Sequence, residues 1–436
     1  MMKKLIQISM FCAAGFLAAC NKDAINNSNA PTMDQITKNP TIPELNNLVT
    51  GTESAMRVDL DLYIETVSVI GRELYRFSAS DTRWTGEVLG FADFTLDPTS
   101  FYGNRPWVYR YSTVRNALLL IKGAKNSKAI ATEQRNGYYG FAKTIIAYQL
   151  LLNLNLTYQN GIRTDVTDYR KLGPIVTKDK ALEDIAALLD EADANLAASD
   201  FTFELSSGFA GLDDEAGFRK FNRAIAARVA AYREKWADVQ TALNGSFLNL
   251  TANPDNGAFH VYALAAGDVI NPLYFPQNEN GEIRVVHPSY ITDMEAGDNR
   301  IAKAALRTTP ASEAGLTGAY DFWLYKSETD PVSIIRNEEL VLLYAESKIQ
   351  LNALTDARDA LNQVRAWHGL PVYSEAMTKE ALLDQLLKQR RYSLFGEGHR
   401  WVDMRRYGRL AQLPKDRAND DVWEQLPLPL SEGSGK

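Results

Sequence analysis

Two groups of residues in this 436-residue chain have types and spacings suited to chemistry. The first is a set of aromatics in polar, turn-rich stretches. Trp84 follows Arg83 in SASDTRWTGE, and Tyr102, Asn104 and Trp107 come soon after. Tyr274, Phe275, Tyr320, Trp323 and Tyr325 lie further along. A flat ring offers an apolar face to the C–H face of a sugar, while amides and charges beside it bond the hydroxyls. The second group is the arginine cluster Arg390, Arg391, Arg400, Arg405, Arg406 and Arg409. Alone it would suit phosphate. Glu397 and Asp403 are interleaved with it, however, and Trp401 lies in the same run. Planar guanidinium groups pair bidentately with carboxylates and stack on indoles, so the cluster reads as an internal charge network. Catalytic sets are missing. Glycoside hydrolysis needs two facing carboxylates, and no marked pair stands out. Asp213-Asp214-Glu215 reads as a helix N-terminal cap. His260, His287, His368 and His399 are dispersed, which speaks against a metal centre. Asn278-Glu279-Asn280-Gly281 lacks the alternating Asp positions of a calcium loop. The expectation is a binding protein with no enzymatic activity, no cofactor and no metal.

Charge and composition agree with that expectation. Apolar residues make up 45% of the chain and charged ones 23%, the proportions of a globular protein. The 54 acids outnumber the 47 Lys and Arg, giving a net charge of −7, opposite in sign to the basic excess of a nucleic-acid binder. The first twenty residues are MMKKLIQISMFCAAGFLAAC. Lys3 and Lys4 precede an uncharged, mostly apolar run, the pattern of a secretory signal. Leu17-Ala18-Ala19-Cys20 resembles the lipobox of bacterial lipoproteins. The resemblance implies that residues 1–19 are cleaved and that Cys20 is lipidated, its acyl chains anchoring the protein to a membrane. Cys12 leaves with the signal, so the mature chain holds one cysteine. Residues 20–40 are rich in Asn, Ser, Thr and Pro and read as a flexible tether. Asn21-Lys22-Asp23 resembles the surface-export signals of Bacteroidetes lipoproteins and equally fits a plain solvated linker.

The elements that must position these residues are mainly helical. Pro43 suits a first helical turn, and apolar spacing predicts helices over 58–70, 107–122, 129–156, 179–198 (started by Asp179) and 218–243. Residues 244–332 collect Gly, Pro, Asn and aromatics and form a loop-rich insert, with a short strand at 283–286. Helices resume at 334–352, 355–367, 379–395 (capped by Thr378) and 398–410. Ala230 and Ala242 are 12 apart, as are Ala345 and Ala357, which echoes the tetratricopeptide pattern of closely packed helix pairs. One compact domain is expected over 41–436, comprising an N-terminal helical region (41–243), the insert (244–332) and C-terminal helices (333–436).

Four blocks in the C-terminal hundred residues carry a family resemblance. Arg336-Asn337-Glu338-Glu339-Leu340 leads to Tyr344-Ala345-Glu346, and Leu361-Asn362-Gln363-Val364-Arg365 leads to Gly369-Leu370-Pro371. Gln389-Arg390-Arg391 leads to Glu397-Gly398-His399-Arg400-Trp401-Val402-Asp403, and Leu426-Pro427-Leu428-Pro429 closes the series. In order and spacing these resemble the signature of SusD/RagB lipoproteins, with Gln389 and Ser393 standing where that family usually has Glu. The resemblance implies a mainly α-helical bundle of tetratricopeptide-like pairs with an irregular insert. It implies an outer-membrane, cell-surface lipoprotein that binds oligosaccharides or peptides and delivers them to a SusC-like TonB-dependent transporter. Because that family builds its ligand face from the early loop and the insert, Arg83, Trp84, Trp107 and Trp323 become the candidate ligand-binding residues. The alternative is a tetratricopeptide-like adaptor that binds only proteins.

Overall fold

The computed structural model describes residues 37–168 and 171–433. The signal, Cys20 and most of the tether lie outside the described residues.

The chain opens with α1 (Ile42–Ala55) and α2 (Leu60–Ile70). Pro43 sits in the first turn of α1, and the Glu44 carboxylate reaches back to the Thr41 amide at 2.8 Å. A short strand, β1 (Leu74–Phe77), follows α2. The long helices α3 (Phe101–Asn126) and α4 (Thr132–Thr157) pack together, with the two-residue strands β2 (Ile162–Arg163) and β3 (Ile175–Val176) after them. Next is α5 (Lys178–Leu196), whose N-cap is Thr177. The Thr177 hydroxyl accepts from the Lys180 amide, and Asp179 instead lies inside the first turn, where its charge favours the helix dipole. Helix α4 approaches α5 closely because Gly140 lacks a side chain; a Cβ there would stand 2.4 Å from Leu196 Cγ.

Asp214 caps α6 (Glu215–Tyr232), accepting from the Gly217 amide at 2.6 Å. The helix expected over 218–243 breaks at Glu234, which takes a left-handed φ of 57°, and resumes as α7 (Trp236–Asn244). Ala230 and Ala242 are buried on the two halves of this helix–turn–helix.

The insert is more regular than its composition suggests. It holds β4 (Gly257–His260), β5 (Ile283–Val286), the short helix α8 (Pro288–Thr292) and the hairpin β6 (Ala304–Glu313) and β7 (Leu316–Phe322). Ala314 and Gly315 turn the hairpin with positive φ at both positions, the geometry that matches strand twist. The antiparallel sheet runs β1-β5-β7-β6, so a strand from the start of the chain forms its edge. The run expected to start a helix at 334 begins instead as β8 (Val332–Arg336), which pairs with β4. Its β-branched residues Val332, Ile334 and Ile335 suit a pleated, buried surface.

After β8 come α9 (Asn337–Gln350), α10 (Leu354–Trp367), α11 (Lys379–Ser393), α12 (Arg400–Arg406) and α13 (Leu430–Gly433). Thr378 caps α11 through the Ala381 amide. Ala345 and Ala357 are both buried where α9 meets α10.

The arginine cluster braces this half from inside. Arg390 pairs with Asp403 at 2.7 Å, and Arg406 reaches Glu346 at 2.9 Å and Asp403 at 3.2 Å. Arg405 is sandwiched between Tyr158 (4.1 Å) and Trp401 (4.4 Å) and donates to the Asn155 and Glu424 carbonyls. Arg228 of α6 clamps Glu339 of α9 at 2.6 Å. From Leu413 onward the chain runs back over the N-terminal half. Trp423 donates to the Glu87 carbonyl, the Leu426 amide to the Leu156 carbonyl, and Arg163 pairs with Glu432 at 2.7 Å.

Candidate functional site

The register of β1 on β5 places Arg76 directly opposite Arg284. Like charges facing across two strands repel. Glu65, fully buried on α2, resolves the conflict by bridging both. One of its carboxylate oxygens takes Arg284, and the other lies 3.0 Å from Arg76 Nε. Glu65 is a lone acid in the apolar stretch Leu62-Tyr63-Ile64-Glu65-Thr66-Val67, and this partner pair explains its presence there.

Aromatic rings extend the motif on both sides. The Arg284 guanidinium lies 3.7 Å from the centre of the Phe275 ring. Arg76 stands over Trp84 at 5.3 Å, Trp84 meets Phe101 edge-on at 5.4 Å, and Arg83 covers Phe101 at 4.5 Å while gripping Asp81 bidentately. Such cation–ring contacts contribute roughly 0.5–2 kcal/mol each, the larger values where water is excluded. Arg76 also reaches the exposed Glu282 at 3.0 Å, which accepts from the Ser80 hydroxyl at 2.7 Å. The result is a ledge of alternating guanidinium groups and rings, running from the insert to the early loop. Phe275 and Phe101 are half-buried, and the Arg83 side chain is 40% exposed.

The insert end of the ledge is held by asparagines. Asn271 donates to the Asp330 carbonyl and accepts from the Leu273 amide. Asn278 takes a left-handed φ of 61°, donates its amide to Asp321 and accepts from the Thr308 amide, so its side chain braces the turn. Tyr274, next to Phe275, packs 6.2 Å from the half-buried ring of Trp323. Near the ledge, Asp61 has its pKa pushed up to about 6 by burial and by the neighbouring Glu65 charge. It is therefore a carboxyl able to act as donor or acceptor near neutrality.

The structure thus gathers Arg83 and Trp84 onto one ledge, and Trp323 stands by its insert end through Tyr274. Trp107 is elsewhere. It packs on Tyr111 at 5.0 Å, donates to Glu432 at 3.1 Å and borders a separate 240 Å³ cavity with Leu118, Arg163 and Leu172. Two expectations need correction. Trp84 and Trp107 are 1% and 2% exposed, so neither presents an open ring face. Trp84, in a stretch that reads as polar from sequence, is covered by Phe101 and Tyr102, whereas Trp107 is covered by Tyr111 and by Glu432 of the returning chain. Phe275 is among the aromatics the sequence singles out but not among the four chosen ligand residues, and Arg284, Arg76 and Glu65 are not singled out by the sequence. The isolated Glu65 in an apolar helix was the available signal. Among the described residues no group of three or more His, Cys, Asp or Glu is placed to hold a metal, and no helix is long and apolar enough to cross a membrane.

The helical scaffold with its small antiparallel sheet is similar in fold to SusD-superfamily structures. The chain is similar to surface glycan-binding protein A from Bacteroides uniformis, with a TM-score of 0.71 at 14% identity, covering 91% of this chain and 98% of that one. It is also similar to surface glycan-binding protein A from Bacteroides thetaiotaomicron in complex with laminarihexaose, with a TM-score of 0.69 at 17% identity over 90% and 97% of the two chains. Residues 318–425 match the SusD family model. A SusD-like protein, P38, from Formosa agariphila is 30% identical over 153 residues, a stretch that covers 33% of this chain and 29% of that relative's length. The chain thus carries a SusD-family match over residues 318–425, about a quarter of its length, and shares its fold with SusD-superfamily structures.

Proposed function

We propose that this protein is a lipid-anchored outer-membrane protein that binds an oligosaccharide at the cell surface and delivers it to a SusC-like TonB-dependent transporter, without itself acting as an enzyme. The observation that carries the reading is the ledge. Half-buried rings of Phe275, Phe101, Tyr274 and Trp323 alternate with Arg83, Arg76 and Glu282, which pairs apolar ring faces with hydrogen-bonding charges. This is the composition that carbohydrate C–H faces and hydroxyls require. The fold shared with a protein seen with laminarihexaose supports a glycan over a peptide. Lipidation at Cys20 would supply the anchor.

The test is a glycan array followed by calorimetric titration of the best hit. The double variant Phe275→Ala/Trp323→Ala is expected to lose about 5- to 150-fold in affinity, from roughly 0.5–1.5 kcal/mol per stacked ring. Binding to no glycan, or unchanged affinity in the folded double variant, refutes the ledge as the site. Failure to co-purify with a large β-barrel from outer membranes refutes the delivery role.

A further inference from the structure

Helices α11 and α12 and the segment after them enclose a polar cleft of 710 Å³, separate from the ledge. Its base is buried and largely apolar, formed by Leu387, Tyr392 and Met404. Four cations line it (Lys388, Arg391, Arg400 and Arg409), together with three acids (Asp293, Glu380 and Asp384). Three of the cations already have anions. Arg391 pairs with Asp293 at 2.9 Å, Arg409 with Asp384, and Lys388 with Glu295 at 3.6 Å.

Arg400 is different. It is half-buried in the first turn of α12, and among the described residues its guanidinium has no hydrogen bond and no ion pair within 4.0 Å. Burial and the adjacent Arg391 charge pull its pKa down to about 10, the mark of a cation short of counter-charge. Glu73 feels the Arg400 charge, but burial lifts that carboxyl to about 7, so near neutral pH it carries only about half a charge. A guanidinium left unpaired at the wall of a cavity is a ready bidentate partner for an oxyanion.

We propose that this cleft binds a compact, singly charged carboxylic acid bearing hydroxyl groups, with its carboxylate seated on Arg400. The lining carries one more positive than negative charge, which suits a monoanion. A dianion such as phosphate would meet the acids at the mouth. The cleft is far larger than a bare ion, and the exposed Glu380 and Gln412 stand at its edge as partners for hydroxyls. This site does not depend on the glycan reading of the ledge.

The test is titration of the full chain with D-glucuronate, D-glucose and inorganic phosphate, read by calorimetry and by saturation-transfer NMR. Glucuronate is expected to bind, glucose not to bind, and phosphate to bind at least tenfold more weakly than glucuronate. Arg400→Gln is expected to lose glucuronate affinity at least tenfold, with binding of a neutral glycan at the ledge unchanged. Glu380→Lys makes the cleft more positive and is expected to shift selectivity toward phosphate severalfold. No glucuronate binding, phosphate binding as tight as glucuronate, or unchanged affinity in folded Arg400→Gln overturns the proposal. If Arg400→Gln does not fold, the Glu380→Lys selectivity decides, and an unchanged ratio overturns it.

Discussion

Glu73 is buried between α2 and β1, at 2% exposure, and the Gly396 amide makes a long contact of 3.4 Å to one of its carboxyl oxygens. Burial raises its pKa from 4.5 to about 7, with the Ser68 hydroxyl, the Gly396 amide and Arg400 offsetting part of the effect. The sign follows from linkage. A carboxyl raised in the folded state favours folding while it is protonated, and that contribution is lost as pH rises from 4.5 through 7. At 1.36 kcal/mol per pKa unit the penalty above pH 7 is about 3 kcal/mol. Glu73→Gln keeps an acceptor for Gly396 and removes the titration. The variant is expected to match the wild type near pH 4.5 and to be more stable by up to about 3 kcal/mol at pH 8. Urea unfolding at pH 4.5, 6, 7 and 8, followed by tryptophan fluorescence, measures both curves. If they run parallel across that range, the account of Glu73 as a buried, part-charged carboxyl is wrong.

Three further outcomes are expected. Trp84→Ala empties a buried site among Phe101, Tyr102 and Arg76 and is expected to cost about 3–5 kcal/mol by chemical unfolding, whereas Trp323→Ala costs clearly less because its ring is only partly covered. Glu339→Gln leaves Arg228 buried without its anion and is expected to destabilise by roughly 3–5 kcal/mol in the same assay. Gly140→Ala drives a methyl group into Leu196 and is expected to cost about 1–3 kcal/mol and to lower the thermal midpoint.

What was legible from sequence was local. Asp214 and Thr378 declared themselves as caps because a short polar side chain preceded an apolar period. The charge network around Arg390, Arg405 and Asp403 was readable because acids and Trp401 are interleaved within one short run. Strand β5 stood out against turn residues on both sides. What escaped depends on partners distant in the chain. Val332–Arg336 became a strand because β4 supplies its hydrogen bonds across some seventy-five residues, and no helical period forbids that exchange. The β6–β7 hairpin was hidden by its Pro, Ala and Gly content. Trp84 looked exposed because its sequence neighbours are polar, while the groups that bury it come from α3 and β1. Of the ledge, Arg83, Trp84, Phe275 and Trp323 were legible, but its core was not, because it is a cross-strand register between residues 76 and 284 bridged by a residue on a helix.

The edge strand β1 and the returning segment from Leu413 together have a kinetic consequence. β1 waits for a partner more than two hundred residues downstream, and Arg72 is satisfied by the Pro414 and Asp421 carbonyls. The N-terminal helices can pack on one another first, while β1 and Arg72 gain their partners only when the distant segments arrive, at the cost of closing long loops. A chain wired in this way sets its early strand and Arg72 in place last, after residues 413–432 have been made.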